Sequence, residues 1–178
     1  MRVFIGIPAQ NLYDQVQAFA KDYSDLPVRW MAKHNLHVTL VPPWQEYNPD
    51  QIATLLDKDH GPAFNLEFDQ ISFGPKPRDI RLLWATGPSS QQLVILKNKI
   101  EENLATDSEP RKHLSHLTLA RLNRKSTGKI TNPKFSIKID WQLKVSSFNF
   151  YAVSLNPEGA EYSVLKEFKL NNNAKQLP

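Results

Sequence analysis

The sequence predicts a mixed α+β protein: two pseudo-symmetric lobes of mainly antiparallel sheet, helices outside and a cleft between them. Two observations carry this. The order strand, helix, strand occurs twice at a period of about 80 residues, too long for a solenoid unit and suited to two related lobes facing each other. The segments outside those two runs alternate in hairpin-like fashion, which favours a mixed, largely antiparallel sheet over a doubly wound parallel one. The six glycines are scattered and form neither a phosphate-loop nor a dinucleotide fingerprint, so nucleoside-triphosphate chemistry loses support.

Residues Arg2 to Ile7 form an apolar run suited to a buried strand, and Pro8 introduces Leu12, Val16, Phe19 and Ala20 at helical spacing through Asp22. Leu36 to Val41 alternates as a second strand. Asn48-Pro49-Asp50 carries helix-start chemistry for Gln51 to Leu56, and Phe64 to Phe73 is a third strand. Ile80 to Thr86 then opens the second run. Pro88-Ser89-Ser90 caps a helix through Leu104, and Leu114 to Leu122 is again a strand. After a loop over Lys125 to Pro133, Phe135 to Leu155 holds two strands and Tyr162 to Leu170 a last one. The polar residues 171–178 read as a loose tail.

One domain spanning residues 1–178 is the expectation for this length, and 178 residues can bury a sizeable core unaided. With no cysteine, a disulfide framework, a thiolate metal site and a cysteine nucleophile are all excluded. The opening MRVFIGIPA has an apolar run too short for a signal peptide, and no stretch reaches membrane-span length. A cytoplasmic monomer is expected, with no membrane association and no obligate protein partner. The net charge of +4 and pI near 9.2 favour an anionic partner. Lys76, Arg78, Arg81, Arg111, Lys112, Arg121, Arg124, Lys125 and Lys129 crowd the middle third; a positive face and an ordinary solvated surface both fit that cluster.

The strongest signal is a repeated tetrapeptide, His37-Val38-Thr39-Leu40 and His116-Leu117-Thr118-Leu119, each copy lying in the second strand of its run. From composition alone about 0.02 copies are expected, so two are not chance. Alternation along a strand sets His37 with Thr39, and His116 with Thr118, on one face, and sets the apolar members behind. A pseudo-twofold relation between lobes then gathers two imidazoles and two hydroxyls around one small group, and a phosphate fits. One imidazole near neutral pH can accept a proton while another donates one, as phosphodiester hydrolysis requires. The hydroxyls of Thr39 and Thr118 can bind the non-bridging oxygens. A single such motif is more often packing than chemistry; a pair reverses that balance.

His34 and His113 precede the motif histidines by three residues each, so a metal site has to be weighed. Residues i and i+3 of a strand face opposite ways, and Glu46 and Glu109 lack ligand spacing, so neither metal nor other cofactor is expected. His60, in Asp59-His60-Gly61, reads as a turn or helix-end residue.

The chain resembles the two-histidine (2H) phosphoesterase superfamily, and within it the bacterial and archaeal RNA 2′,3′-cyclic phosphodiesterases, also called 2′-5′ RNA ligases. The likeness covers most of the chain: Arg2-Val-Phe-Ile-Gly-Ile, Arg29-Trp30 ahead of the first motif, Ile71-Ser72-Phe73-Gly74-Pro75 leading to Arg81-Leu82-Leu83-Trp84, the second motif continuing to Ala120-Arg121, and a late Tyr162. The resemblance implies a bilobal fold with the histidines facing across a groove, and hydrolysis of RNA 2′,3′-cyclic phosphate ends to 2′-phosphate with ligation as a side activity. It implies His37 as general acid to the 3′ oxygen and His116 as base toward water, an assignment open to exchange. Thr39, Thr118 and Arg121 carry over as phosphate ligands. Alternation alone sets Arg121 opposite His116, so the strand must end or bulge before it.

Two departures stand out. Where the family often has Lys-Phe-Leu-Gly, this chain has Val41-Pro42-Pro43-Trp44, and Trp44 is either a platform for a terminal base or a packing residue. Ser115 replaces the usual proline. Two other readings remain open: a related enzyme acting on a different cyclic phosphate or a 2′-5′ oligonucleotide, and an RNA-binding module without turnover.

Overall fold

The computed structural model describes residues 1–76, 79–105, 115–122, 128, 130, 132, 134–157 and 159–171. Among the described residues nine strands form one sheet: β1 (Arg2–Pro8), β2 (Arg29–Trp30), β3 (His37–Gln45), β4 (Phe64–Lys76), β5 (Asp79–Thr86), β6 (His116–Arg121), β7 (Ser136–Val145), β8 (Ser147–Asn156) and β9 (Gly159–Lys169). Their order is β7-β4-β5-β6-β3-β1-β8-β9, with β2 paired to β6, and every pairing between named strands is antiparallel. The expected α+β class with a mainly antiparallel sheet is what the chain adopts.

Three α-helices lie among the described residues: α1 (Tyr13–Asp22), α2 (Pro49–Leu55) and α3 (Gln91–Leu104). Each expected helix is present for the expected reason. Asn48 caps α2 by accepting from the Gln51 N–H, with Pro49 in the first turn where its missing N–H costs nothing. Ser90 caps α3 through the Leu93 N–H, and α3 ends where Ala105 turns left-handed at φ 50°. Val16 and Phe19 of α1 and Leu93, Leu96 and Ile100 of α3 join Val38, Leu40, Leu117 and Leu119 in one apolar cluster. The helices therefore cover the sheet face behind the two motifs. Phe4 and Tyr151 are also buried but lie outside that cluster.

The lobes are not consecutive halves of the chain. β4 pairs with β5 and β7, whereas β8 and β9 return to β1. The first motif strand thus heads the set β3-β1-β8-β9, and the second heads β6-β5-β4-β7. Only Ser146 separates β7 from β8, so those strands do not make the hairpin their proximity suggests. The Leu170 N–H donates to Ser146 O at 2.8 Å and Pro62 bridges Asn171, drawing the two ends of the sheet together at that corner. Asn171, placed in the loose tail by sequence, is tied down: its N–H donates to Gly61 O at 2.9 Å and its side-chain amide to Asp59. The rest of the tail and the Lys125 to Thr127 part of the loop lie outside the described residues. So do Arg78, Arg111, Lys112, Arg124, Lys125 and Lys129 of the basic cluster.

Candidate active site

The motif strands β3 and β6 are neighbours at the centre of the sheet, and Val38 stands opposite Leu117. In an antiparallel pair this register sets His37 across from Thr118 and Thr39 across from His116. Val38 and Leu117 are wholly buried on the helix side. Alternation then turns both histidines and both threonines to the other face, where all four are half-buried. The two copies of the motif, 79 positions apart in sequence, become one four-residue cluster.

The same kink follows both motifs. Gly6 pairs with Thr39 and Ile5 with Val41, so Leu40 is an extra residue; Trp84 pairs with Thr118 and Leu83 with Ala120, so Leu119 is another. Each extra residue reverses the alternation beyond it. Arg121 accordingly returns to the face of His116 and Thr118, resolving the conflict that simple alternation raised. Its guanidinium lies near enough to His37 to help lower that histidine's pKa.

The two histidines sit differently. Across from Thr39 the sheet carries Gly6, and a Cβ there would stand 3.2 Å from His37 Cδ2 and 3.0 Å from Val38 O. The His37 ring settles into this space against Phe4 at 4.7 Å and edge-on to Tyr162 at 5.1 Å, with Tyr151 at 6.2 Å. Burial there pulls its pKa from 6.5 down to about 4; the Asn35 carbonyl opposes the shift, and the charges of His116 and Arg121 add to it. Nδ1–H donates to Asn35 O at 2.8 Å, which directs Nε2 toward the open face. The corresponding place across from Thr118 carries Trp84, whose ring meets that of His116 at 5.0 Å. Trp84 donates to Ser72 Oγ at 3.3 Å, and a Cβ on Gly74 would collide with its ring, so Gly74 is what admits the indole.

Three residues around the histidines were given no role from sequence. Asn35 anchors the start of β3 to β9, donating to Ala160 O at 3.0 Å and accepting from the Tyr162 N–H at 3.2 Å. Tyr162 and Trp84 wall the two imidazoles. Their proximity depends on pairings between distant segments, which no local pattern encodes.

Trp44 is not brought to the histidines, and the base-platform reading is corrected. It pairs with Val3, three places from Gly6, after a second irregularity in β3, and it stacks on Phe150 at 6.0 Å against the helix-side cluster. Its indole N–H donates to Glu46 at 3.0 Å. His34 lies exposed on a single 3-10 turn, and His113 and Glu109 are outside the described residues. Among the described residues no three histidine or carboxylate side chains cluster as metal ligands. His60 is buried against Phe148 and bonds Leu56 O at 2.8 Å. Ser115 is buried too, and its hydroxyl has no hydrogen-bond partner among the described residues.

Two imidazoles, two hydroxyls and a guanidinium on one face of the sheet form an arrangement suited to phosphoryl chemistry. No helix among the described residues is long and apolar enough to cross a membrane. Residues 5–84 match the family model described as LigT like Phosphoesterase. No curated protein matches the sequence. Among solved structures, TT0787 of Thermus thermophilus is 20% identical, with a TM-score of 0.72 over 96% of this chain and 98% of that one. E. coli LigT complexed with 3′-AMP is 22% identical, TM-score 0.72, over 95% and 97% of the two chains. E. coli LigT complexed with NADP+ is 24% identical, TM-score 0.73, over the same shares. At these identities the likeness is one of fold, and the family-model match covers the first motif strand but not the second.

Proposed function

We propose that the protein hydrolyses the 2′,3′-cyclic phosphate at RNA ends to a 2′-phosphate. The observation that carries this is the register Val38 opposite Leu117, which assembles His37, Thr39, His116 and Thr118 on one open face. The fold relatives crystallised with 3′-AMP, ATP and NADP+ support a nucleotide as substrate.

In this reading water attacks phosphorus and gives its proton to His116. The bond from phosphorus to the 3′ oxygen breaks, and His37 Nε2 supplies that oxygen with a proton. Thr39 and Thr118 hydrogen-bond the non-bridging oxygens, and Arg121 offsets their charge. With its pKa near 4, His37 is neutral in the empty site. It therefore takes up a proton from solvent as the anionic substrate binds, because the substrate's charge offsets the repulsion from Arg121. A 5′-hydroxyl in place of water turns the same proton transfers into 2′-5′ ligation.

The test is incubation with a short RNA ending in a 2′,3′-cyclic phosphate, under excess chelator, alongside His37→Ala and His116→Ala. Conversion to the 2′-phosphate is expected, with each substitution costing about 10²–10⁴-fold. RNA binding without turnover points instead to a binding module; turnover of other cyclic phosphates or 2′-5′ oligonucleotides alone moves the substrate.

A further inference from the structure

Next to the histidines lies a cleft of about 570 Å³, walled on one side by Arg29, Trp30 and Asn35 and on the other by the β8–β9 turn. It begins at the candidate active site, because Tyr162 and Asn35 line it and both also touch His37. Arg29 and Arg121 stand directly opposite each other where β2 pairs with β6, and both line this cleft. Like charges facing across strands destabilise a sheet. Neither guanidinium makes an ion pair or hydrogen bond with a described residue, although Glu161 also lines the space.

Arg29 is exposed, and it packs against one backbone segment. Gly159 turns at φ 129°, and a Cβ there would fall 2.5 Å from Arg29 Nη1 and 2.6 Å from Nη2, so the guanidinium lies flat against that bare backbone. A guanidinium fork beside a second arginine suits a tetrahedral phosphate anion, which converts their repulsion into two charge-assisted contacts. Trp30 and Tyr162 border the same space with aromatic surface.

We propose that this cleft is a second phosphate subsite, in which Arg29 takes the phosphate on the 5′ side of the terminal nucleotide and Arg121 stands between that phosphate and the reacting one. The inference rests on the RNA-end reading of the histidine site and narrows it: the substrate is a nucleotide chain bearing two phosphates, not a mononucleoside cyclic phosphate.

The test uses binding, which does not depend on turnover. Adenosine 2′-phosphate and adenosine 2′,5′-bisphosphate are titrated calorimetrically into the intact protein and into Arg29→Ala, Arg29→Gln and Arg29→Lys, with circular dichroism to verify folding. The bisphosphate should bind about tenfold more tightly to the unaltered protein. That preference should vanish in Arg29→Ala and Arg29→Gln and persist in part in Arg29→Lys, which keeps the charge without the fork. Equal affinities in the unaltered protein, or a preference that survives Arg29→Ala and Arg29→Gln, would overturn the subsite. If the preference is found but no cyclic phosphate is hydrolysed, the subsite stands and the hydrolase reading fails; hydrolysis without the preference gives the converse.

Discussion

The Nδ1–H of His37 donates to the carbonyl of Asn35 at 2.8 Å, while the side chain of Asn35 is bonded to Ala160 and Tyr162 on β9. One residue thus sets the tautomer of an imidazole and fastens the wall beside it. Removing that side chain tests whether the two are linked.

Asn35→Ala should lose about 1–3 kcal/mol of stability, since Asn35 is buried and gives up two hydrogen bonds. A melting point lower by several degrees is expected. If the side chain also positions His37, kcat on a cyclic phosphate falls by more than KM rises, and the pH profile moves. A lowered melting point with kinetics unchanged would reduce Asn35 to a structural role.

The depressed pKa of His37 predicts how stability varies with pH. Unfolding returns this pKa from about 4 to 6.5. Between those values the unfolded chain binds more protons, so stability is full above pH 6.5 and is lost as pH falls through 4. The contribution is roughly 3 kcal/mol at its largest. Urea melts at pH 7.5 and 4.5 should differ more for the unaltered protein than for His37→Gln; an equal difference in both would show that His37 is not the group involved.

Anion binding should take up a proton. Sulfate keeps one charge state across this range, so its affinity isolates the response of the protein. That affinity should rise as pH falls from 7.5 to 5.5, and calorimetry in two buffers of different ionisation enthalpy should report net proton uptake. Uptake that persists in His37→Gln would assign it to another group; a pH-independent affinity would favour His37 as the base and His116 as the acid.

The two glycines behind the rings should fail differently. Gly6→Ala crowds His37 and Phe4, so turnover drops while tryptophan emission stays as it was. Gly74→Ala forces the Trp84 ring away from His116, so both turnover and emission change. A Gly6→Ala protein with unaltered kinetics would show that the ring of His37 has room to spare.

Trp44→Phe should lower stability by about 1 kcal/mol through lost stacking on Phe150, with no change in KM for a nucleotide substrate. A raised KM at unchanged stability would return Trp44 to the substrate side.

The elements and the four-residue cluster were legible because their signals are local: alternation, capping residues and a repeated tetrapeptide. The bulge before Arg121 was legible only as a conflict between strand parity and an expected role, and the extra residue Leu119 resolves it. The place of Trp44 was not legible, because a second irregularity in β3 and the partner Phe150 decide its face. The segregation of β4 from β1 and β3 was hidden for a similar reason. A strand's sequence reports how it is buried, not which distant strand it joins.

That interleaving bears on how the chain becomes active. β1 is made long before β8, residues 147–156, yet β8 flanks it on one side. Pairings at such separation in sequence carry a large loop-closure cost and slow folding. Tyr151 arrives with β8 and Tyr162 with β9, so the pocket that depresses the pKa of His37 closes only after both strands have been made. A nascent chain that stops after β6 carries both motifs but has no finished wall around the first histidine.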